Sequence, residues 1–302
     1  MFFSRFAIVT LSMLALAGCS LFPKAESAGE NAGASALTPE VVVYTAREIV
    51  TLDPAKAQVE AIAVDGDRIL ATGALRDVER ALEERSYRVD RRFEDSVLVP
   101  GLINQHEHTW LAAIAMIVKI VSIEDWELPG QPMPRATDAA DYRRRLKSLV
   151  EQHAADHPEG DEVFYTWGYH QLFHGELTRS VLDEMSATVP IVVLQRSMHE
   201  LLFNTRALER FGIDQARLDS LPAHVREQTD LARGHFWEQG SIAVVPVVFG
   251  DMLTPDRYLP ALKRARDYWH TAGSTLVAEP GGMVNPALMA MQNSVFGDPS
   301  TP

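Results

Sequence analysis

Val97-Leu98-Val99-Pro100-Gly101-Leu102-Ile103-Asn104-Gln105-His106-Glu107-His108 is an apolar run, interrupted once by Pro-Gly, that ends on two histidines one residue apart. In an extended segment successive side chains leave on opposite faces. His106 and His108 therefore share a face and Glu107 takes the other. Two imidazoles on one face, at the end of a buried strand, can share one divalent ion. Neutral imidazole suits zinc, iron, nickel or copper better than magnesium or calcium. The spacing alone is a weak signal, because two core or surface histidines satisfy it equally well.

Downstream of this run the texture is one of strands alternating with helices. Thr137 is placed to cap a helix with Asp138 and Asp141 in its first turn, where the helix dipole favours acids. Tyr142, Leu146, Leu149 and His153 then recur at helical spacing. Val163 to Trp167 and Ile191 to Gln195 read as strands, the second apolar throughout and so expected to be buried on both faces. Asn204 to Phe211 is a short helix ended by Gly212. Pro255 opens a further helix with Tyr258, Leu262, Ala265 and Trp269 inside, and Ser274 to Ala278 is the next strand. This alternation predicts an α/β fold with a parallel sheet or barrel.

Upstream the sequence is β-rich. Val41 to Thr45, Glu48 to Leu52, Tyr87 to Val89 and Val97 to Val99 are strand candidates. Ala61 to Val64 and Arg68 to Leu70 flank Asp65-Gly66, a tight-turn signal. Leu75 to Glu84 carries a helical pattern. Residues 40–95 thus form one small unit, and 96–302 the start of a second.

The first residues differ from both. Arg5 precedes a largely apolar run, Phe6 to Ala17, that is too short to span a bilayer comfortably. It ends in Leu16-Ala17-Gly18-Cys19, which resembles a bacterial lipobox. Residues 1–19 are expected to be a lipoprotein signal, with lipidation at Cys19 and anchoring in the cell envelope, at the outer membrane facing the periplasm. Residues 20–39, rich in Ala, Gly, Ser and Glu, read as a flexible tether. Cys19 is the only cysteine, so the mature chain would have no disulfide and no thiolate ligand. A metal would have to sit on His, Asp, Glu or a modified Lys. The formal net charge of -13 makes nucleic acid a poor partner. The composition, 46% hydrophobic and 23% charged, is that of an ordinary globular chain.

The stretch from Val97 to His108 resembles the first barrel strand of the amidohydrolase superfamily. Ala61-Ile62-Ala63-Val64-Asp65-Gly66-Asp67-Arg68-Ile69-Leu70-Ala71-Thr72-Gly73 resembles that superfamily's N-terminal β-sandwich hairpin. Arg179 with Leu182-Asp183, Pro190 to Leu194, His199, and Asn204-Thr205-Arg206-Ala207-Leu208 resemble the amidohydrolase-3 family in particular. The similarity covers roughly residues 40 to 285. It implies a (β/α)8 TIM barrel, here a partial one, with a small N-terminal β-sandwich domain. It also implies one or two divalent ions, zinc being the expected one, bound by His106 and His108. A metal-activated water would attack a carbon–nitrogen bond, other than a peptide bond, of a small-molecule substrate.

The sequence departs from the pattern in two places. The family commonly has Asp where Asn104 stands. From Ser96 onward the chain is also shorter than the roughly 250 residues of a typical barrel, and the family's later metal histidines and final aspartate are expected beyond it. The rival expectation is an inactive truncated homologue with at most a binding role.

Other residues carry weaker signals. His199 is a candidate for the substrate pocket, with a structural hydrogen bond as the alternative. Gly234-His235-Phe236-Trp237-Glu238 resembles the family's Gly-x-x-x-Glu loop, which makes Glu238 a candidate metal or catalytic carboxylate; a salt-bridged loop residue is the alternative. No residue stands out as the catalytic base. His170 and His174 have helical metal-pair spacing, but Gly168 and Gly175 flank them and favour loop histidines. His153, His157 and His270 sit at helix ends. Arg143-Arg144-Arg145 with Lys147 reads as a solvated helix face.

Overall fold

A computed structural model describes residues 41–128, 131–281 and 285–297. The expected signal segment, Cys19 and the tether lie outside the described residues. The chain divides between Val99 and Pro100 into two compact units.

The first unit is a four-stranded sheet in the order Arg68–Gly73, Gln58–Asp65, Val41–Val50, Tyr87–Leu98. The hairpin turns where Asp-Gly predicts it, with Asp65 paired to Arg68 and Gly66 at φ 59°. Val41, Val43, Ala61 and Ala63 alternate onto one face and pack on Val78 and Leu82 of the helix Leu75–Leu82. Among the described residues this unit has one sheet covered by a helix, not the two facing sheets of a sandwich. The two strand candidates at 87–89 and 97–99 are the ends of one long strand. Its charged middle reads as a break but is ordered by ion pairs: Arg88 and Arg92 both engage Asp90. Hydrogen bonds from Arg92 hold the Asp90 carboxyl well below the usual carboxylate range.

The second unit is built on a six-stranded sheet in the order Thr229–Asp230, His235–Trp237, Glu200–Phe203, Ile191–Gln195, Phe164–Tyr169, Lys119–Ile120. The last three run parallel to one another. Ile191–Gln195 is buried at every position, as its apolar continuity predicts. Its alternate residues serve two layers. Val192 and Leu194, with Tyr165 and Trp167, face a core shared with Val244, Val248 and Phe249. Ile191 and Val193, with Phe164, face Tyr142, Leu146 and Val150 of the helix Ala139–Asp156. Each such side chain removed from water contributes about 1.5–3 kcal/mol. The helix is capped one residue later than expected: Asp138, not Thr137, accepts from the Ala140 and Asp141 amides at 2.9 Å.

The expected barrel closure is not present among the described residues, and the architecture is mixed α/β with separate sheets. Beyond Ile191–Gln195 the chain reverses at Met198 and pairs antiparallel. A tight turn thus stands where a crossover helix would carry the next parallel strand. A second, two-stranded parallel pair joins Leu102–Asn104 to Ser274–Val277.

Candidate functional site

The two-stranded pair sets the histidines. Its register is continued by backbone hydrogen bonds from Ala278 to Asn104 and from Glu107 to Ala278, both 2.9 Å. Pro100-Gly101 before it has a steric reason: a β-carbon on Gly101 would lie 2.1 Å from Thr275 Oγ1. The Thr275 side chain occupies the space a larger residue here would need. The strand ends at Asn104, so the histidines lie just past it, not within it, and Leu102 and Ile103 are exposed where a buried strand was expected. Asn104 organises the turn. Its side-chain oxygen accepts from the His106 amide at 3.2 Å, and its side-chain nitrogen donates to Glu107 Oε2 at 2.9 Å. An aspartate could not make the second bond. Burial pushes the Glu107 carboxyl up, only partly offset by Asn104 and His108.

Although the segment is not a regular strand, the rings converge. His106 Nε2 and His108 Nε2 are 3.3 Å apart, with ring planes at 90°. Two imidazole nitrogens each about 2.0–2.1 Å from a tetrahedral zinc stand roughly 3.3 Å apart, so the spacing fits two ligands of one ion. Among the described residues no third His, Cys, Asp or Glu completes a cluster able to hold it.

Glu279 fixes one of the two rings. His108 Nδ1 donates to Glu279 Oε1 at 2.8 Å. A carboxylate only accepts, so the proton is on Nδ1, and Nε2, which faces His106 Nε2, is the atom left to bind a cation. The other oxygen, Oε2, accepts from the Thr109 amide at 2.8 Å and its hydroxyl at 3.2 Å. Burial pushes the Glu279 carboxyl up, but the hydrogen bonds from His108, Thr109 and Gly281 outweigh it and hold it below its ordinary value. Sequence reasoning missed Glu279. The available signal was its place immediately after the predicted strand Ser274 to Ala278, at the strand end that parallel pairing brings beside the histidines.

His199 and Glu238 meet across two loops, with His199 Nδ1 3.1 Å from Glu238 Oε2. Their backbones are clamped together. The Glu238 amide donates to the His199 carbonyl at 2.9 Å, and Ser241 Oγ donates to both carbonyls, at 2.9 and 2.8 Å. Glu238 has φ 46° and ψ -118°, a conformation that favours glycine. Met198, in the neighbouring turn, has φ 65°. His108, His199 and Glu238 all line one cavity of about 390 Å³, with Met198 in its wall. His106 lies outside that lining and is exposed.

The remaining sequence candidates are structural. Buried Asn204 accepts from the Ile191 and Ala207 amides and donates to the Ser186 and Val189 carbonyls. Thr205 binds Asp183 through its amide and hydroxyl, and Arg179 donates to the Thr205 hydroxyl. This motif block therefore ties a helix to the sheet. His174 is not an open loop histidine. It is buried and stacks on Tyr142 at 4.1 Å, while its Nδ1 accepts from the His170 amide. His153 lies 3.0 Å from the Glu162 carbonyl through its Nε2, and His157 closes its helix. Arg144 and Arg145 engage Asp141.

No family model and no curated protein matches the chain. Two solved structures share its fold. One is an uncharacterized metal-dependent hydrolase from Pyrococcus horikoshii OT3, with 16% identity, a TM-score of 0.58, and 83% of this chain matched to 45% of that one. The other is an uncharacterized metal-dependent hydrolase from Pyrococcus furiosus, with 14% identity, a TM-score of 0.57, and 84% matched to 47%. At such identity the likeness is one of fold. The chain spans somewhat less than half the length of each of these proteins.

Proposed function

We propose that this chain carries the first ligand pair and part of the substrate pocket of a metal-dependent hydrolase of the amidohydrolase-3 type, acting on carbon–nitrogen bonds of a small molecule. The observation that carries this reading is the 3.3 Å separation of the His106 and His108 Nε2 atoms, with Glu279 holding the proton on His108 Nδ1. The fold shared with two metal-dependent hydrolases supports it. A bound divalent ion, zinc in this reading, would polarise a substrate carbonyl and lower the pKa of water toward neutrality.

The chain's own residues do the rest. His106 and His108 supply two nitrogen donors, and Glu279 keeps one of them in the required tautomer. Glu238 accepts from His199 Nδ1, which leaves His199 Nε2 to accept a hydrogen bond or a proton in the cavity. Glu238 itself, the charged residue of the cavity wall, is placed to carry a proton between water and the leaving nitrogen. Lipidation at Cys19 would tether the protein to the cell envelope, at the outer membrane facing the periplasm. Among the described residues no helix is long and apolar enough to cross a membrane.

The absence of a third ligand among the described residues favours a second reading, a homologue that binds an ion or a small molecule without turning it over. Zinc content and amide hydrolysis of the purified chain separate the two. Stoichiometric zinc that is lost in the His106→Ala/His108→Ala double variant, together with hydrolysis, supports the enzyme. Zinc without turnover supports the second reading, and zinc retained by the double variant overturns the site.

A further inference from the structure

The cavity bearing His108, His199 and Glu238 has a second character that the metal reading does not use. Its other walls are apolar: Trp110, Leu111, Met198, Ile242, Val245 and Phe249. Its volume of about 390 Å³ falls at the lower end of the roughly 300–1,000 Å³ typical of small-ligand sites. Ile242 is 52% exposed. It projects from the helix Gln239–Val248, whose Val244, Val245 and Val248 enter the core. Ile242 thus spends apolar surface on the cavity and not on folding.

The charge is equally one-sided. Glu238 is the charged side chain of the lining, and no lysine or arginine lines the cavity among the described residues. Arg196, next to the lining residue Ser197, is not part of the lining and is engaged by Glu124 through its Nε at 2.8 Å. Recognition of a substrate carboxylate ordinarily uses a guanidinium or ammonium partner. Here an incoming carboxylate would lose water, gain no cation from the protein and face Glu238. An incoming ammonium meets no such obstacle, because the one hydrogen bond that Glu238 accepts from His199 leaves its other oxygen able to accept.

We infer that the site takes an amide-type substrate bearing an apolar, ring-sized group, seated against Trp110, Ile242, Val245 and Phe249, and discriminates against substrates with a free carboxylate. This rests on the proposed hydrolase reading for the word substrate. The binding preference itself stands on the cavity.

The test uses three probes sharing one aromatic ring: N-acetylphenylalaninamide (neutral), N-acetylphenylalanine (anionic) and phenylalaninamide (cationic). Each is titrated into the full chain in the presence of a chelator, with binding read by calorimetry and by tryptophan fluorescence. The anionic probe is expected to bind at least about ten-fold more weakly than the neutral and the cationic ones, the size of a single desolvated charge without a partner. Ile242→Asp is expected to weaken the neutral probe by at least about ten-fold. Its exposed position leaves the thermal unfolding midpoint unchanged. Ile242→Leu is expected to retain binding. Equal or tighter binding of the anionic probe, binding by none of the three, or an unaffected Ile242→Asp variant would overturn the inference. Because no metal and no turnover enter the measurement, a failed hydrolase reading leaves the result intact, and the converse holds.

Discussion

His108 and His199 line the same cavity, and each has a carboxylate on its Nδ1, yet the two pairs are built in opposite ways. At His108 the carboxylate of Glu279 is 22% exposed and accepts four hydrogen bonds, from an imidazole, two amides and a hydroxyl. At His199 the side chains of the pair are 63% and 56% exposed, and their contact is a single one of 3.1 Å. There it is the backbone that is pinned, with Glu238 held at positive φ. An exposed pair of this kind contributes little to stability. The first arrangement immobilises a ring. The second fixes two anchor points and leaves the side chains free to exchange partners, as a proton carrier must. In the proposed function these are the tasks of a ligand and of an acid–base group.

Acid tests how far the difference can be seen. Burial lowers the pKa of His174 to about 4, from an ordinary 6.5, and the nearby His170 adds to the effect. The folded state therefore favours neutral His174. The stability it contributes is fully present above about pH 6.5 and is lost as the pH falls toward 4, about 3 kcal/mol in all. The urea midpoint is expected to drop across that window, and less so in His174→Gln. An identical drop in the variant would place the acid sensitivity elsewhere. The two histidine–carboxylate pairs are accordingly compared above pH 6.5 or so.

There, Glu279→Gln is expected to weaken zinc binding by about 10- to 100-fold, the usual cost of losing a carboxylate behind a ligating imidazole. Competition with a chromophoric chelator reads this directly. Unchanged affinity would reduce Glu279 to a cap for Thr109 and remove half of the contrast. The smallest effect belongs to the other pair. Glu238→Gly relieves a backbone conformation that costs a side-chain-bearing residue about 1–3 kcal/mol, partly offset by the entropy of glycine. Equilibrium unfolding is expected to show a gain of about 1 kcal/mol. A loss would mean that the carboxylate, despite its exposure, holds the loop.

Much of this was legible in the chain. The period-2 hairpin at 58–73 and the doubly buried strand at 191–195 follow from alternation and turn chemistry, which are local, whereas His106 and His108 converge past the end of their strand, in a turn that alternation does not describe. The pairing of His199 with Glu238 could be suspected only from resemblance, because nothing local links residues 39 positions apart. Glu279, at a separation of 171, had only its place at the end of a predicted strand to mark it. The long strand Tyr87–Leu98 was misread because its charges are satisfied by neighbours two residues away on the same strand, which hydropathy alone scores as a break. His174 was misread because the flanking glycines describe the backbone and not the aromatic stack that covers the ring.

The His108–Glu279 contact has a kinetic consequence as well. Joining segments 171 residues apart closes a long loop, whose entropy must be met before any contact across it stabilises the chain. The helix Ala139–Asp156 and the hairpin around Met198 need no such closure. This corner is therefore expected to assemble last, and a spectroscopic reporter placed on it would time the completion of folding in the second unit, not its onset.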